Sequence, residues 1–369
     1  MILSKRSFAL SIIVVFLLTA ISCNVEVAKE SKKQFVTIYT DCLGKKDLSI
    51  FKNFQKKNHI SVRIVHLSAN DIISKIKAEG YNTDADIIIL KSIVTIRKAQ
   101  RLKLLNSINS EKLNSLIESN FRSVDNTWFG IGLDPYVLVT KVKAEKEPEK
   151  YAELFTDEYQ EKWTTDLENQ TNLIPFLGSI NRLKKRSEFY KTVTNFKDDQ
   201  LYLGKSMVDY LKPNYFLTNL SNYIQNISNQ DSLSVIYKPI FLNQTSSGGY
   251  FNLHCAGIIK QAKNFENAKL LLEYLVKNEF NEQLNQKWKT IPISVHRRIH
   301  PFEYQNIEFI YFKGSMAKQS LNYSFYQKVI EKMKEPKTIE IYSEPELIIP
   351  TTDTIIQENQ SVPKPEEEE

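Results

Sequence analysis

Cysteine is scarce in this chain, with three in 369 residues. A small domain stapled together by disulfides is therefore excluded. Catalytic signatures are missing as well. There is no G-x-S-x-G nucleophile elbow, no phosphate-cradling P-loop and no G-x-G-x-x-G turn, so neither an enzyme nor a cofactor is expected. His296 and His300 stand at i, i+4, a spacing that can clamp zinc on a helix. Their neighbours are arginines, no H-E-x-x-H glutamate accompanies them and Pro301 follows at once, so no metal site is assigned there. No internal repeat is visible. Neither an aromatic RNA-binding signature nor a helix-turn-helix goes with the positive charge, and nucleic acid is not an expected partner. The apolar run at the amino terminus, Phe8 to Leu18 broken by Ser11, is shorter than the ~20 residues of a permanent membrane helix.

What is present begins with that run. Lys5 and Arg6 precede it, and the small-residue segment Ala20-Ile21-Ser22 follows it and ends at Cys23. A basic start, an apolar stretch and small residues before a cut site make a secretory signal. The cysteine after the small residues resembles a bacterial lipobox, although Leu is usual where Ala20 stands. The resemblance implies diacylation of Cys23, which becomes residue one of a mature chain held by lipid to a membrane, extracytoplasmic in the periplasm or at the cell surface. An ordinary signal peptide with an incidental cysteine is the alternative. Cys42 and Cys255 remain, either both free or bonded to each other.

The formal net charge is +6. From Thr338 onward nine acidic residues face one basic residue, Lys364, so the body is more basic than the total. A basic body attracts anionic ligands, acidic partners or lipid surfaces, and a solvated lysine-rich surface has the same composition. Five prolines from Pro336 and a terminal run of four glutamates give a tail unable to bury enough apolar surface to order itself.

Between signal and tail, strand and helix patterns alternate. Residues 35–40 are rich in β-formers, and Leu48, Phe51 and Phe54 then recur at one-turn spacing. Residues 61–66 form a second strand. Ser68 opens a helix carrying Ile72, Ile73 and Ile76 and closing at Gly80, and residues 86–90 make a third strand, buried on both faces. Near Trp128-Phe129-Gly130 the chain enters another strand, 136–140. The stretch 141–250 reads as helix-rich and polar. Residues 253–260 form a further strand, followed by a helix from Asn264 with Ala268, Leu271, Leu272 and Leu275 on one face. A last helix covers 323–334. Such alternation predicts parallel β-α-β units and an α/β fold.

Several segments, taken in order, resemble the solute-binding proteins of ferric-iron ABC importers. Val36-x-x-Tyr39 followed by a helix, Lys77-Ala78-Glu79-Gly80, Ala85-Asp86, Trp128-Phe129-Gly130 and Lys162-Trp163 match motifs of that family. So does Gly248 to Leu275, GGYFNLHCAGIIKQAKNFENAKLLLEYL. The resemblance covers about residues 35–335. It implies a two-lobe periplasmic-binding-protein fold with hinge crossover strands and a central cleft. Its domains are a signal peptide 1–22, a tether 23–34, a first lobe 35–135 plus 253–305, a second lobe 136–252 plus 306–336, and a disordered acidic tail 337–369. It also implies an ABC permease and ATPase as partners.

The family's ferric ligands are largely substituted. Its tyrosine pair after Asn-x aligns with Asn214-Tyr215-Phe216, where one phenol remains. Its histidine falls at Leu43-Gly44, its acidic residue at Lys91, its third tyrosine at Phe176, and its anion-binding arginine near Tyr136. Tyr215, Asn214, Tyr136 and Lys91 are therefore the candidate ligand-binding residues. They offer phenol, amide and amine groups, which suit a small organic anion or a chelate better than bare Fe(III). The expected function is a lipid-anchored solute-binding protein for a ligand other than free Fe(III). The alternative is a scaffold or interaction lipoprotein that kept the fold without transport.

Overall fold

The computed structural model describes residues 34–144, 146–159, 162–166, 170–180, 201–202, 215–293 and 323–334, all within the compact unit Met1–Lys334. Cys23, Asn214, His296, His300 and the acidic tail lie outside the described residues.

Three parallel strands come first: β1 (Phe35–Thr40), β2 (Ser61–His66) and β3 (Ile87–Leu90). Helices connect them, as parallel pairing demands. The first connection differs from the single helix expected. A 3-10 turn, Lys45–Phe51, leads into α1 (Lys52–Asn58). The cause is local: Asp47 N–H donates to Gly44 O at 2.9 Å, and the Asp47 carboxylate accepts Gly44 N–H at 2.7 Å, tightening the entry. α2 (Ala69–Glu79) is capped by Ser68, whose Oγ accepts Asp71 N–H at 3.2 Å. Gly80, at φ 53°, ends it. All four residues of β3 are buried. α3 (Ile93–Arg101) and α4 (Glu111–Leu116) follow.

β4 (Phe129–Lys141) is longer than predicted, with twelve of its thirteen residues buried. The segment 141–250, expected to be rich in helix, contributes four strands as well. They are β5 (Trp163–Asp166), β6 (Leu201–Tyr202), β7 (Tyr215–Asn219) and β8 (Tyr237–Ile240). Its helices are α5 (Gln170–Ile180), α6 (Leu220–Tyr223) and α7 (Asp231–Ser234). β9 (Phe251–Ile258) then precedes α8 (Phe265–Leu275), α9 (Asn278–Trp288) and α10 (Tyr323–Lys334).

The sheet order is β2-β1-β3-β9-β4-β7-β5-β6, with β8 also on β4. β4 belongs to both halves. Phe129 to Pro135 pair with β9, whereas Tyr136 to Thr140 pair with β7. The hand-over lies between Pro135 and Tyr136. Just before it, the β4–β9 register slips between Gly130 and Gly132, a bulge that frees the Ile131 carbonyl from the ladder. Asn281 and Asn285 of α9 both donate Nδ2–H to that oxygen at 2.8 Å.

A buried carboxylate fixes the first half of the sheet. Asp86 accepts the N–H of Thr37 and the N–H of Asn264, each at 2.8 Å, and Asn264 Nδ2–H at 3.1 Å. One side chain thereby joins β1, the start of β3 and the start of α8. Among the described residues no helix is long and apolar enough to cross a membrane.

Candidate functional site

In open α/β sheets, ligands lodge beyond the carboxyl ends of parallel strands, where helix amino termini and unpaired loop groups converge. In the first half, β1 and β3 end side by side at Asp41 and Lys91. Asp41 Oδ1 accepts Lys91 N–H at 2.9 Å, and Asn252 Nδ2–H donates to Lys91 O at 3.1 Å. Ser92 next to Lys91 caps α3, its Oγ accepting Val94 N–H at 3.3 Å. Burial pushes the Asp41 carboxyl up, against the Lys91 amide bond and ammonium.

In the second half, β5 and β7 are parallel and end at Asp166 and Asn219. Asp134 of β4 lies against this end. Its carboxylate accepts Ser221 N–H at 3.1 Å and Ser221 Oγ–H at 2.6 Å, and its carbonyl accepts Asn219 Nδ2–H at 3.3 Å. Burial raises the Asp134 carboxyl to about 7, while the Ser221 bonds and the Lys91 charge pull it down. Lys91 also acts on His254, whose imidazole is driven down to about 3, first by burial and then by that ammonium. Asp41, Lys91, Asp134 and His254 thus form one electrostatic neighbourhood beside the hand-over in β4.

Tyr136 is buried there, its ring 5.4 Å from that of Phe176. Burial, then the Asp134 charge, raises its phenol well above the ordinary range; Phe176 backbone and the Asn219 side chain hydrogen-bond to it. It is a neutral phenol, not a preformed phenolate. Tyr136, Asp166, Asn219 and Asn222 line a pocket of ≈ 20 Å³, room for a water molecule or two.

The structure does not bring Tyr215 into this group. Tyr215 opens β7 opposite Thr140, whereas Asn219 closes it opposite Tyr136. At about 3.3 Å per residue the two ends stand about 13 Å apart. Tyr215 hydroxyl donates instead to Lys146 O, and its ring meets Tyr159 at 5.8 Å. The Asn-x pair at the hand-over is Asn219-Leu220, and the residues after it are Ser221 and Asn222 rather than tyrosines. Asp41, Asp134, Asn219 and Ser221 were not among the sequence candidates. The end of β7, once known, would have pointed to Asn219 and Ser221.

At the other substituted positions, Leu43 is fully buried and its carbonyl accepts His66 Nδ1–H at 2.9 Å. Phe176 packs on Tyr136, Tyr151 and Trp163. Among the described residues no three His, Cys, Asp or Glu side chains come together as a metal site. Cys42 and Cys255 are free thiols.

Comparison with known proteins places this geometry. No family model matches the chain. Iron uptake protein A1 of Synechocystis is 23% identical over 279 residues, 71% of this chain and 76% of that protein. The ferric binding protein of Campylobacter jejuni superposes with a TM-score of 0.71 at 20% identity, covering 81% of this chain and 99% of the other. A Trichodesmium protein solved in complex with iron and citrate superposes with a TM-score of 0.70 at 21% identity, covering 81% and 98%. The chain is thus a distant relative of the ferric iron-binding periplasmic proteins and has their α/β periplasmic-binding-protein fold.

Proposed function

We propose that the chain is an extracytoplasmic solute-binding protein, anchored by lipid at Cys23, that delivers a small organic anion or chelate to an ABC permease and its ATPase. Its cleft lies between lobes 35–135 plus 253–305 and 136–252 plus 306–336, a division supported by the change of β4 partner at Pro135–Tyr136. One observation carries the choice of ligand: the carboxylates beside the hand-over are already engaged. Asp134 holds Ser221 and Asp41 holds the Lys91 amide, while Tyr136 is a protonated phenol. Fe(III) is a hard cation that needs several anionic oxygens, and beside the single carboxylate of Asp166 this edge presents an ammonium, amides and hydroxyls. Those are donors for an anion. The Trichodesmium relative, solved with both iron and citrate, makes a chelate a reasonable cargo class.

The test is spectroscopic. Ferric citrate titrated into the mature chain should develop no tyrosinate-to-iron absorption band, and native mass spectrometry of protein from its own source should show an added mass. A strong band abolished by Tyr136→Phe would refute the reading, because the cleft phenol would then be binding the metal directly.

A further inference from the structure

A second concave site lies at the opposite end of β7. A pocket of ≈ 320 Å³ is lined by Thr140, Lys141, Lys143, Ala144, Lys146, Glu158, Tyr159, Lys162 and Tyr215. The volume is within the range of small-molecule sites. Four of its nine lining residues are lysines and one is acidic. Glu158 is taken by Lys146, at 2.6 Å. Nearby Glu147 is likewise taken, by Lys238 at 2.7 Å. Among the described residues no carboxylate comes within ion-pair distance of Lys141, Lys143 or Lys162, and Lys162 Nζ lies 5.7 Å from the centre of the Tyr159 ring.

The aromatic part of the lining is fixed. Tyr159 and Tyr215 meet edge to face at 63°, and the Tyr215 hydroxyl is tied to the Lys146 carbonyl. Burial raises both phenols above their ordinary range, so they add no negative charge to offset the lysines. Lys162 itself precedes β5 and is held to β7 through its carbonyl, which accepts Tyr215 N–H at 3.1 Å.

We propose that this pocket is a second ligand site, distinct from the cleft, that takes a phosphate group. Three ammonium groups around one concavity, with no carboxylate partner among the described residues, favour a compact multiply charged anion. Among the described lining residues no arginine offers the two-pronged fork that selects planar carboxylates, whereas lysine serves phosphate as a point charge. The phosphate can belong to a soluble compound or to a lipid headgroup, since the chemistry of contact is shared.

The probe is inorganic pyrophosphate, titrated calorimetrically into the mature chain at fixed salt. Saturable binding is expected, weakened by about tenfold or more in the Lys143→Glu/Lys162→Glu double variant and unchanged in Lys56→Glu, an exposed control on α1. Unchanged circular dichroism and urea midpoint establish that the double variant is folded. Sedimentation with phosphatidylglycerol vesicles, using Cys23→Ser chain to remove any anchor, separates the sources. Vesicle binding lost in the double variant marks a lipid headgroup, and pyrophosphate binding without vesicle binding marks a soluble phosphate. Absence of saturable binding to either probe would overturn the proposal, as would binding that the double variant retains. Citrate bound as tightly as pyrophosphate would overturn the assignment to phosphate.

Discussion

Asp134 and His254 are buried near the same ammonium, Lys91, yet they should bend the stability of the protein in opposite directions as pH changes. Asp134 rises from 3.8 to about 7 on folding, so between those values the folded state holds more protons than the unfolded chain. Linkage then makes stability fall as pH rises through that window. His254 drops from 6.5 to about 3, so the unfolded chain holds more protons and stability rises with pH. Integrated from pH 5 to pH 8, the aspartate removes about 3 kcal/mol and the histidine restores about 2 kcal/mol. The two slopes oppose each other in the wild-type chain. Each substitution should unmask the other.

Asp134→Asn preserves shape and can keep both Ser221 contacts, with the hydroxyl now free to accept. Relative to wild type, the variant's stability should climb by about 3 kcal/mol more between pH 5 and pH 8. His254→Phe should fall by about 2 kcal/mol relative to wild type over the same range. Urea unfolding at several pH values measures both, and titrations common to all three chains drop out of the differences. Parallel stability curves for wild type and Asp134→Asn would refute the reasoning, because Asp134 would then titrate alike in the folded and unfolded chains.

Two other outcomes follow from single sites. A Cβ added at Gly132 would lie 2.1 Å from Asn285 Oδ1, so Gly132→Ala should destabilise by about 2–4 kcal/mol through overpacking and loss of the Ile131 contacts; Asn285→Ala in the same chain should recover part of this, and additive urea midpoints would contradict the clash. Cys23→Ser should shift the exported protein from the detergent phase to the aqueous phase in Triton X-114 partitioning, and partitioning equal to wild type would exclude lipid at Cys23.

Much of the architecture is legible in the sequence because it rests on periodicity. Ile72, Ile73 and Ile76, or Ala268, Leu271, Leu272 and Leu275, declare one buried face each, and all seven are buried. α9 does not declare itself, since two of its inward positions are Asn281 and Asn285, both fully buried. Their amides serve a bulged carbonyl that no local pattern announces. The site was harder still. Tyr215 is a surviving phenol after an asparagine, but its place depends on where β7 begins, and a shift of four residues moves it from one end of a strand to the other. Asp134 looked unremarkable in an apolar run because its partner, Ser221, is 87 residues away.

The motifs that carry the resemblance are mostly those that hold the sheet together. Asp86 of the Ala-Asp pair joins two strands to α8 through Thr37 and Asn264. Trp128 of Trp-Phe-Gly is fully buried and donates Nε1–H to Gln100 Oε1 at 3.0 Å. At Gly130 a Cβ would meet Phe121 O and Leu253 at 2.9 Å, and at Gly257 it would meet Thr127 O at the same distance, so close backbone approach confines both positions to glycine. None of these residues is a candidate ligand contact. Substituting any of them costs folding, whereas a change at the carboxyl edge leaves these contacts in place. A chain can therefore keep this backbone while most of its sequence changes, as the TM-scores near 0.7 at about 20% identity show for the fold.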